Sequence, residues 1–558
     1  MVNKGLFSAT LLAVSFILSL MLPIIILTYT EKNTPLVALA SVLLPLGFYT
    51  LFAALSRRSG CMVWCGFLFI FLSAFQVVLS YLFGGSVVAA DMFLNIRTTN
   101  PSEAHELLSN IYPAIIFVIV VYIPILKVAT THLRNGVVLQ SATRRTMLAV
   151  GGTTLFIGGF VMAAGCRGDV KRVLLDDVFP INVCYNLYFA LSENYKINHY
   201  KQSSKDFLYH AERSSEYAGK EIYVLVIGEA SRAANWQLYG YNRPTNPRLS
   251  ARNDLAIFRQ VTTQSNTTHK SVPMMLSSVH TSQHDELYRR KGLLALFNEA
   301  GFATYFISNQ QPQGAMIDHL AGEANYVTYL PAPSYDTEMI NHLRQRLTDS
   351  SSQKILFVLH TYGSHYSYYQ RYPREFARFL PDDDRAISMA NAGCIRNSYD
   401  NSILYTDYLL SEIISLLEQE SACSALFYCA DHGEDLFDNE QERFLHSSPT
   451  TTYYQLHVAS VAWFSSAYKK CFPEKVAAAA YNENAMATTY SVFHTMVEIA
   501  SICSPLLNPR ASLVSYDCDF AARRYYLDDH NRAVVLDERI GIDNFQEELF
   551  RKAGVRVR

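Results

Sequence analysis

Five long uncharged stretches dominate the first third of the chain: Leu6 to Tyr29, Pro35 to Ser56, Cys61 to Phe83, Leu107 to Leu126 and Met147 to Cys166. Each is long enough to cross a bilayer as a helix, the one open structure that pairs all its backbone polar groups internally. The first stretch is longer than the core of a signal peptide, and no small-residue cleavage site follows it, so it reads as a span. Five spans are therefore expected. Arg57 and Arg58 separate the second and third, and Arg134, Arg144 and Arg145 separate the fourth and fifth. Short loops rich in arginine stay on the cytoplasmic side, which puts everything after Cys166 outside the cytoplasm.

The remaining chain is too long to be an appendage. With 558 residues, 50% of them hydrophobic and 17% charged, the composition exceeds one ordinary core and implies a membrane part joined to a folded one. The net charge of -2 leaves no basic excess to neutralise a phosphate backbone, which excludes nucleic acid as a partner. Seven of the ten cysteines, Cys184, Cys394, Cys423, Cys429, Cys471, Cys503 and Cys518, fall in the outer part. One to three disulfides fit that compartment, with no pairing readable.

Beyond Cys166, short apolar runs alternate with segments of helical period. Ile222 to Ile227, Ala303 to Ile307, Ile355 to Leu359, Ala425 to Ala430 and Val458 to Phe464 lack in-out alternation, as strands buried on both faces do. Tyr399 to Glu418 carries Ile403, Tyr408 or Leu409, Ile413 and Leu416 or Leu417 on one helical face. The expected fold is α/β/α, with a mostly parallel sheet covered by helices. The expected division is a membrane domain over 1–166, an amphipathic bridging segment over 167–215 and an outer catalytic domain over 216–558.

Sites in such sheets form beyond the carboxyl ends of the strands. There the sequence places Gly228-Glu229, then His360 followed by Gly363-Ser364-His365, then Asp431-His432-Gly433-Glu434. Carboxylates and imidazoles at three strand ends are the ligand types of zinc and similar divalent ions, although each taken alone also reads as a helix cap or polar turn. A hydroxyl-rich stretch, Thr262-Thr263-Gln264-Ser265-Asn266-Thr267-Thr268-His269-Lys270-Ser271, offers nucleophiles that need a base or metal to become reactive, or else a loop and a helix cap.

Gly228-Glu229, Arg232 and Leu238-Tyr239-Gly240-Tyr241-Asn242-Arg243-Pro244-Thr245-Asn246-Pro247 resemble the G-E-T-x-R…L-x-G-Y-x-R-x-T-x-P signature of membrane phosphoethanolamine transferases, the group that includes the lipid A and mobilised colistin-resistance enzymes. Thr268-His269-Lys270-Ser271-Val272-Pro273 matches the family's T-x-x-S-V-P segment. His360 to His365, Tyr399 to Asp407, Asp431 to Leu436 with His446 following, and Asn95 to Ala104 resemble further family motifs in order. Ala230 departs from the family's threonine, Ser265-Asn266-Thr267 replaces the commoner Gly-Thr-Ser, and Ser308-Asn309-Gln310-Gln311 stands where the colistin-resistance enzymes are acidic.

The resemblance implies an alkaline phosphatase and sulfatase-like hydrolase domain behind a five-helix membrane domain of the inner membrane, with the catalytic domain in the periplasm and the chain acting as a monomer. It implies a catalytic zinc on Glu229, Thr268, Asp431 and His432, with Thr268 the nucleophile that takes phosphoethanolamine from phosphatidylethanolamine. The acceptor it implies is lipid A or another envelope glycan. His365 and His446 would contact the phosphoryl group as cations or hold a second zinc, and Asn95, Thr99 and Glu103 would hold the donor's head group. A phosphoglycerol transferase or a sulfatase-like hydrolase is the alternative on the same fold. The first would lack the Asn95 to Thr99 loop, and the second needs a Cys or Ser motif that is absent near Thr268.

Overall fold

The computed structural model describes residues 2–30, 34–82, 90–98, 101–166, 168, 170–176, 178–214, 217–383, 387–438, 443–447 and 451–536, without the side chains of 2–8, 29, 30, 82, 95–98 and 101–110. It comprises two compact units, Met1–Phe93 with Pro101–Leu191, and Leu94–Asn100 with Ser192–Arg558.

The first unit is helical: α1 (Val2–Thr30), α2 (Pro35–Ala53), α3 (Ser59–Cys65), α4 (Phe67–Leu82), α5 (Pro101–Arg134) and α6 (Ser141–Gly165). Among the described residues, four segments are long and apolar enough to cross a membrane: Ala9–Thr28, Pro35–Ala53, Ile111–Arg134 and Ser141–Gly165. The expected third span departs from a straight helix. It is the pair α3 and α4, bent by 58°, so a count of five holds only if this broken pair is one span. The break falls at Gly66, where an added Cβ would lie 2.6 Å from the Phe16 ring; the chain turns where a glycine permits both the bend and the close packing. Glycines also bring α2 and α6 together, since a Cβ on Gly47 would lie 2.6 Å from the backbone nitrogen of Leu155. Small residues at such contacts are how helices pack in lipid, where apolar burial gives no drive. On the outer face of α6, Phe156 and Phe160 are exposed, as suits side chains bathed in acyl chains.

Within 167–215 the chain forms the helices Val170–Asp176, Ile181–Asn198 and Tyr200–Ser203. Tyr188, Leu191 and Tyr195 are exposed on the longest of these.

The second unit is built on a seven-stranded sheet. Its strands are β1 (Glu221–Gly228), β2 (Leu255–Ile257), β3 (Ala303–Ser308), β4 (Tyr326–Tyr329), β5 (Lys354–His360), β6 (Cys423–Ala430) and β7 (Ser460–Phe464), in the spatial order β2-β7-β6-β1-β5-β3-β4. The five neighbours from β6 to β4 run parallel, and β7 is antiparallel to both β6 and β2. Every residue of β1 and β6 is buried, which explains their unbroken apolar reading. Helices α7 (Thr268–Met275), α8 (Ala392–Gln419) and α9 (Tyr490–Ile499) pack in this unit. On α8, Ile403, Leu409, Ile413 and Leu417 face inward. No disulfide joins any of the ten cysteines, so the one to three expected are absent from the structure.

Candidate active site and metal centre

Adjacent parallel strands β5, β1 and β6 end together, and the residues that follow them converge. Glu229, directly after β1, is fully buried. The loop after β5 can lie against it only because residue 363 is glycine: φ is +48° there, and a Cβ would sit 2.9 Å from both the backbone N and O of Glu229. Ala230 also takes a left-handed φ of 51°, an unfavourable conformation for a residue with a Cβ. Its surroundings hold it there. The Ala230 N–H donates to Asp431 Oδ1 at 3.0 Å, and the Tyr399 hydroxyl on α8 donates to the Ala230 carbonyl at 2.6 Å while accepting from the Arg232 N–H at 2.9 Å. After β6, Gly433 allows the backbone to pass Tyr454, whose carbonyl oxygen would be 2.0 Å from a Cβ.

Glu229, Asp431 and His432 thereby form a buried cluster in which one ligand atom from each lies within 4.8 Å of the others. The His432 Nδ1–H donates to the Gly433 carbonyl at 2.8 Å, which leaves the Nε2 lone pair 3.4 Å from Glu229 Oε1 and 3.3 Å from Asp431 Oδ2. Asp431 Oδ1 accepts from two backbone amides, but Oδ2 is buried with no hydrogen-bond partner among the described residues. An orphaned carboxylate oxygen facing an imidazole lone pair and a second carboxylate is a donor set that fits zinc. The electrostatics agree with that fit: burial pushes the Asp431 carboxyl up to about 7, burial and then the Asp431 charge raise Glu229 well above the usual range, and burial lowers His432 to about 4. Ionising this cluster requires a cation.

Thr268 opens α7, and its Oγ1 stands 3.0 Å from His432 Nε2 and 3.2 and 3.3 Å from the Glu229 oxygens. The neighbouring hydroxyls are engaged elsewhere. Ser265 and Thr267 bond each other at 3.1 Å, and Ser271 donates to the Asp431 carbonyl at 2.6 Å. Among the hydroxyls of this stretch, Thr268 thus meets the carboxylates and imidazole at the positive end of a helix.

Gln310, two residues beyond β3, completes the cluster's hydrogen bonding. Its Nε2 donates to Glu229 Oε2 and to the Thr361 carbonyl, each at 2.9 Å. The sequence singled out its run only as a family departure, and its lone signal is its place after a fourth strand of the parallel set.

The His446 and His432 rings lie 4.1 Å apart between centroids, tilted by 40°, and His446 Nδ1 lies 3.0 Å from Glu434 Oε1. Burial pushes Glu434 up to about 8 and His446 down to about 4, so the pair shares one proton. The His365 Nδ1–H donates to the Tyr366 carbonyl at 2.7 Å, and burial together with the Arg371 charge lowers this imidazole to about 3. Burial of both rings, and the Arg371 charge beside His365, oppose the cationic form that the resemblance implies. Asn95, Thr99 and Glu103 lie outside the described residues, in residue or in side chain, and the geometry assigns them nothing.

A family model described as sulfatase matches residues 221–502. Phosphoethanolamine transferase EptA of Salmonella typhimurium is 32% identical over 298 residues, which are 51% of this chain and 54% of that protein. The chain therefore spans about half the length of this relative. Among solved structures, the integral membrane protein lipooligosaccharide phosphoethanolamine transferase A from Neisseria meningitidis covers 92% of this chain and 97% of its own, at 20% identity and a TM-score of 0.69. The periplasmic domain of EcEptC from Escherichia coli in complex with zinc covers 59% of this chain and 96% of its own, at 22% identity and a TM-score of 0.54. Those two likenesses show the fold: a helical N-terminal part followed by an α/β domain with a mostly parallel sheet.

Proposed function

The chain belongs to the sulfatase family, and from that premise we propose that it transfers phosphoethanolamine from phosphatidylethanolamine to lipid A or another envelope glycan through a covalent intermediate on Thr268. The observation that carries this reading is the Thr268 hydroxyl set against the Glu229, Asp431 and His432 cluster. A relative at 32% identity that is named a phosphoethanolamine transferase supports the group transferred. The helical membrane unit supports a lipid donor and an inner-membrane location, with the catalytic unit in the periplasm.

Glu229, Asp431 and His432 hold a zinc ion in this reading, which agrees with the zinc complex of the EcEptC domain. Zinc, when bound, supplies the positive charge that lowers the pKa of the neighbouring hydroxyl and screens phosphoryl oxygen charge. Gln310 fixes the Glu229 carboxylate, and the amide end of α7 faces the incoming phosphoryl group. Thr268 loses its proton once, to water, and is an alkoxide at the start of each turnover; its oxygen bonds phosphorus, the bond to the glycerol oxygen breaks, and the second displacement returns Thr268 as the same alkoxide. The proton shared by His446 and Glu434 passes to that oxygen, and diacylglycerol leaves. In the second displacement the same pair takes a proton from an acceptor hydroxyl as its oxygen replaces Thr268 on phosphorus. His365, neutral with a free Nε2, positions the phosphoryl oxygens or holds a second metal.

The test is product analysis with the full chain in detergent, given phosphatidylethanolamine and lipid A. Release of diacylglycerol with a phosphoethanolamine gain on the glycolipid is expected. Consumption of phosphatidylglycerol or hydrolysis of a sulfate ester in its place would overturn the reading.

A further inference from the structure

At one end of the helical unit, where α2 leads into α3 and α5 leads into α6, the chain carries Arg57, Arg58, Arg134, Arg144 and Arg145. No Asp or Glu stands between Glu31 and Asp91 or between Glu106 and Asp169, so neither connection brings a carboxylate here. None of the five arginines takes part in an ion pair among the described residues. The two connections are fastened to each other. The Leu139 N–H donates to the Arg57 carbonyl at 2.7 Å, and Arg144 Nε and Nη2 donate to the Ala54 and Leu55 carbonyls at 2.8 and 3.2 Å. Arg57 Nη2 donates to Ser141 Oγ, the first side chain of α6. Arg144 thereby closes the carboxyl end of α2, and Arg57 is held at the amino end of α6. That amino end belongs to a 25-residue helix and no side chain caps it. Helix N–H groups without an intrahelical partner, the positive end of a dipole and a guanidinium together receive an anion.

We propose that this end of the helical unit binds an anionic phospholipid, with its phosphodiester between Arg57 and the amino end of α6 and its acyl chains along Leu55 and Val138. Those two apolar side chains are exposed in the same connections as the arginines, which suits a lipid and offers nothing to a soluble anion. An ethanolamine head group fits poorly, because its ammonium would meet five cations and no carboxylate; a head group of net negative charge is selected. The orientation of the spans accounts for arginines at this end, but not for fixing one of them on an uncapped helix. Since Arg57 lies beyond α2 and Ser141 opens α6, one phosphate joins both connections. The inference rests on the helical unit alone and does not depend on the transfer chemistry.

The full chain in detergent is titrated with phosphatidylglycerol, phosphatidylethanolamine or glycerol 3-phosphate, and the molecules retained per chain are counted by native mass spectrometry. Arg57→Gln is expected to raise the phosphatidylglycerol concentration for half occupancy about tenfold, the loss typical of a hydrogen bond between charged groups, and to leave that for phosphatidylethanolamine unchanged. Ser141→Asp sets a carboxylate beside Arg57 in the first turn of α6, where it competes with the phosphate but favours the helix. It should weaken phosphatidylglycerol retention to a similar degree while thermal unfolding stays at or above the wild-type temperature, which separates loss of the site from loss of the fold. Wild-type retention of phosphatidylglycerol in both variants would overturn the proposal, as would an equal shift for phosphatidylethanolamine in Arg57→Gln. Displacement of phosphatidylglycerol by glycerol 3-phosphate at equal concentration would overturn the lipid assignment in favour of a soluble anion.

Discussion

Gln310→Leu deletes the donor that Gln310 offers to Glu229 Oε2 and the Thr361 carbonyl, each at 2.9 Å, while keeping a side chain of similar length. A hydrogen bond to a charged group contributes about 1.5–3 kcal/mol, and about 1.4 kcal/mol is one decade in affinity, so zinc binding should weaken roughly 10- to 150-fold. Outer-shell groups that orient a metal ligand give a similar range independently, about 10- to 100-fold. The Gln310 bond also opposes the burial that raises the Glu229 pKa. Its loss should move that pKa higher and shift the pH of half-maximal zinc binding upward. The assay is competition with a chromophoric chelator across pH, alongside thermal unfolding of the metal-free protein. Because Gln310 is only half-buried, metal-free stability should fall by about 1 kcal/mol or less. Wild-type zinc affinity in Gln310→Leu, at every pH, would refute the claim that this residue sets the cluster.

Asp431→Ala and His432→Ala each remove a ligand and should lower zinc affinity by more than the roughly 100-fold typical of outer-shell changes, read by the same competition. Gly363→Ala places a Cβ 2.9 Å from the Glu229 backbone at a left-handed φ, so denaturant unfolding should show a loss of about 1–2 kcal/mol or more together with weakened zinc binding. Asp431 titrates near 7 when folded and near 4 when unfolded, and Glu229 is raised in the same direction. The folded metal-free state therefore binds more protons, and its stability should fall as pH rises from about 4 to about 7, whereas zinc affinity should rise over that window with proton release. Calorimetry in buffers of different ionisation enthalpy measures both.

The parts of this fold that were legible in sequence are those where burial dictates residue type. Strands β1, β5 and β6 are covered on both faces, so they read as apolar runs, and their ends could be placed to within two residues. Locating those ends located Glu229, Asp431 and His432. Strands β2 and β4 run for three and four residues at the sheet edges, half-exposed and without a pattern, and were not visible. Helix α8 begins seven residues before the expected Tyr399, because its first two turns carry no apolar stripe. The bend between α3 and α4 depends on what packs against Gly66, which composition does not carry. Gln310 was equally hidden, since nothing local to a Ser-Asn-Gln-Gln run says that its third residue meets a carboxylate 81 positions earlier. The burial that opposes charge on His365 and His446, and the Arg371 guanidinium beside His365, are tertiary facts.

The central claim is that Thr268 carries the transferred group, and the hydroxyls of Ser265, Thr267 and Ser271 supply the controls, since Ser265 and Thr267 bond each other and Ser271 is committed to the Asp431 backbone carbonyl rather than to a carboxylate or imidazole of the cluster. The most direct measurement is intact-protein and peptide mass spectrometry of the zinc-loaded full chain after incubation with phosphatidylethanolamine and no acceptor. One phosphoethanolamine on the peptide containing Thr268 is predicted, absent in Thr268→Ala, present in Thr267→Ala, and discharged when acceptor is added. An adduct mapped to Ser265 or Thr267, or turnover by Thr268→Ala at the wild-type rate, would contradict the account.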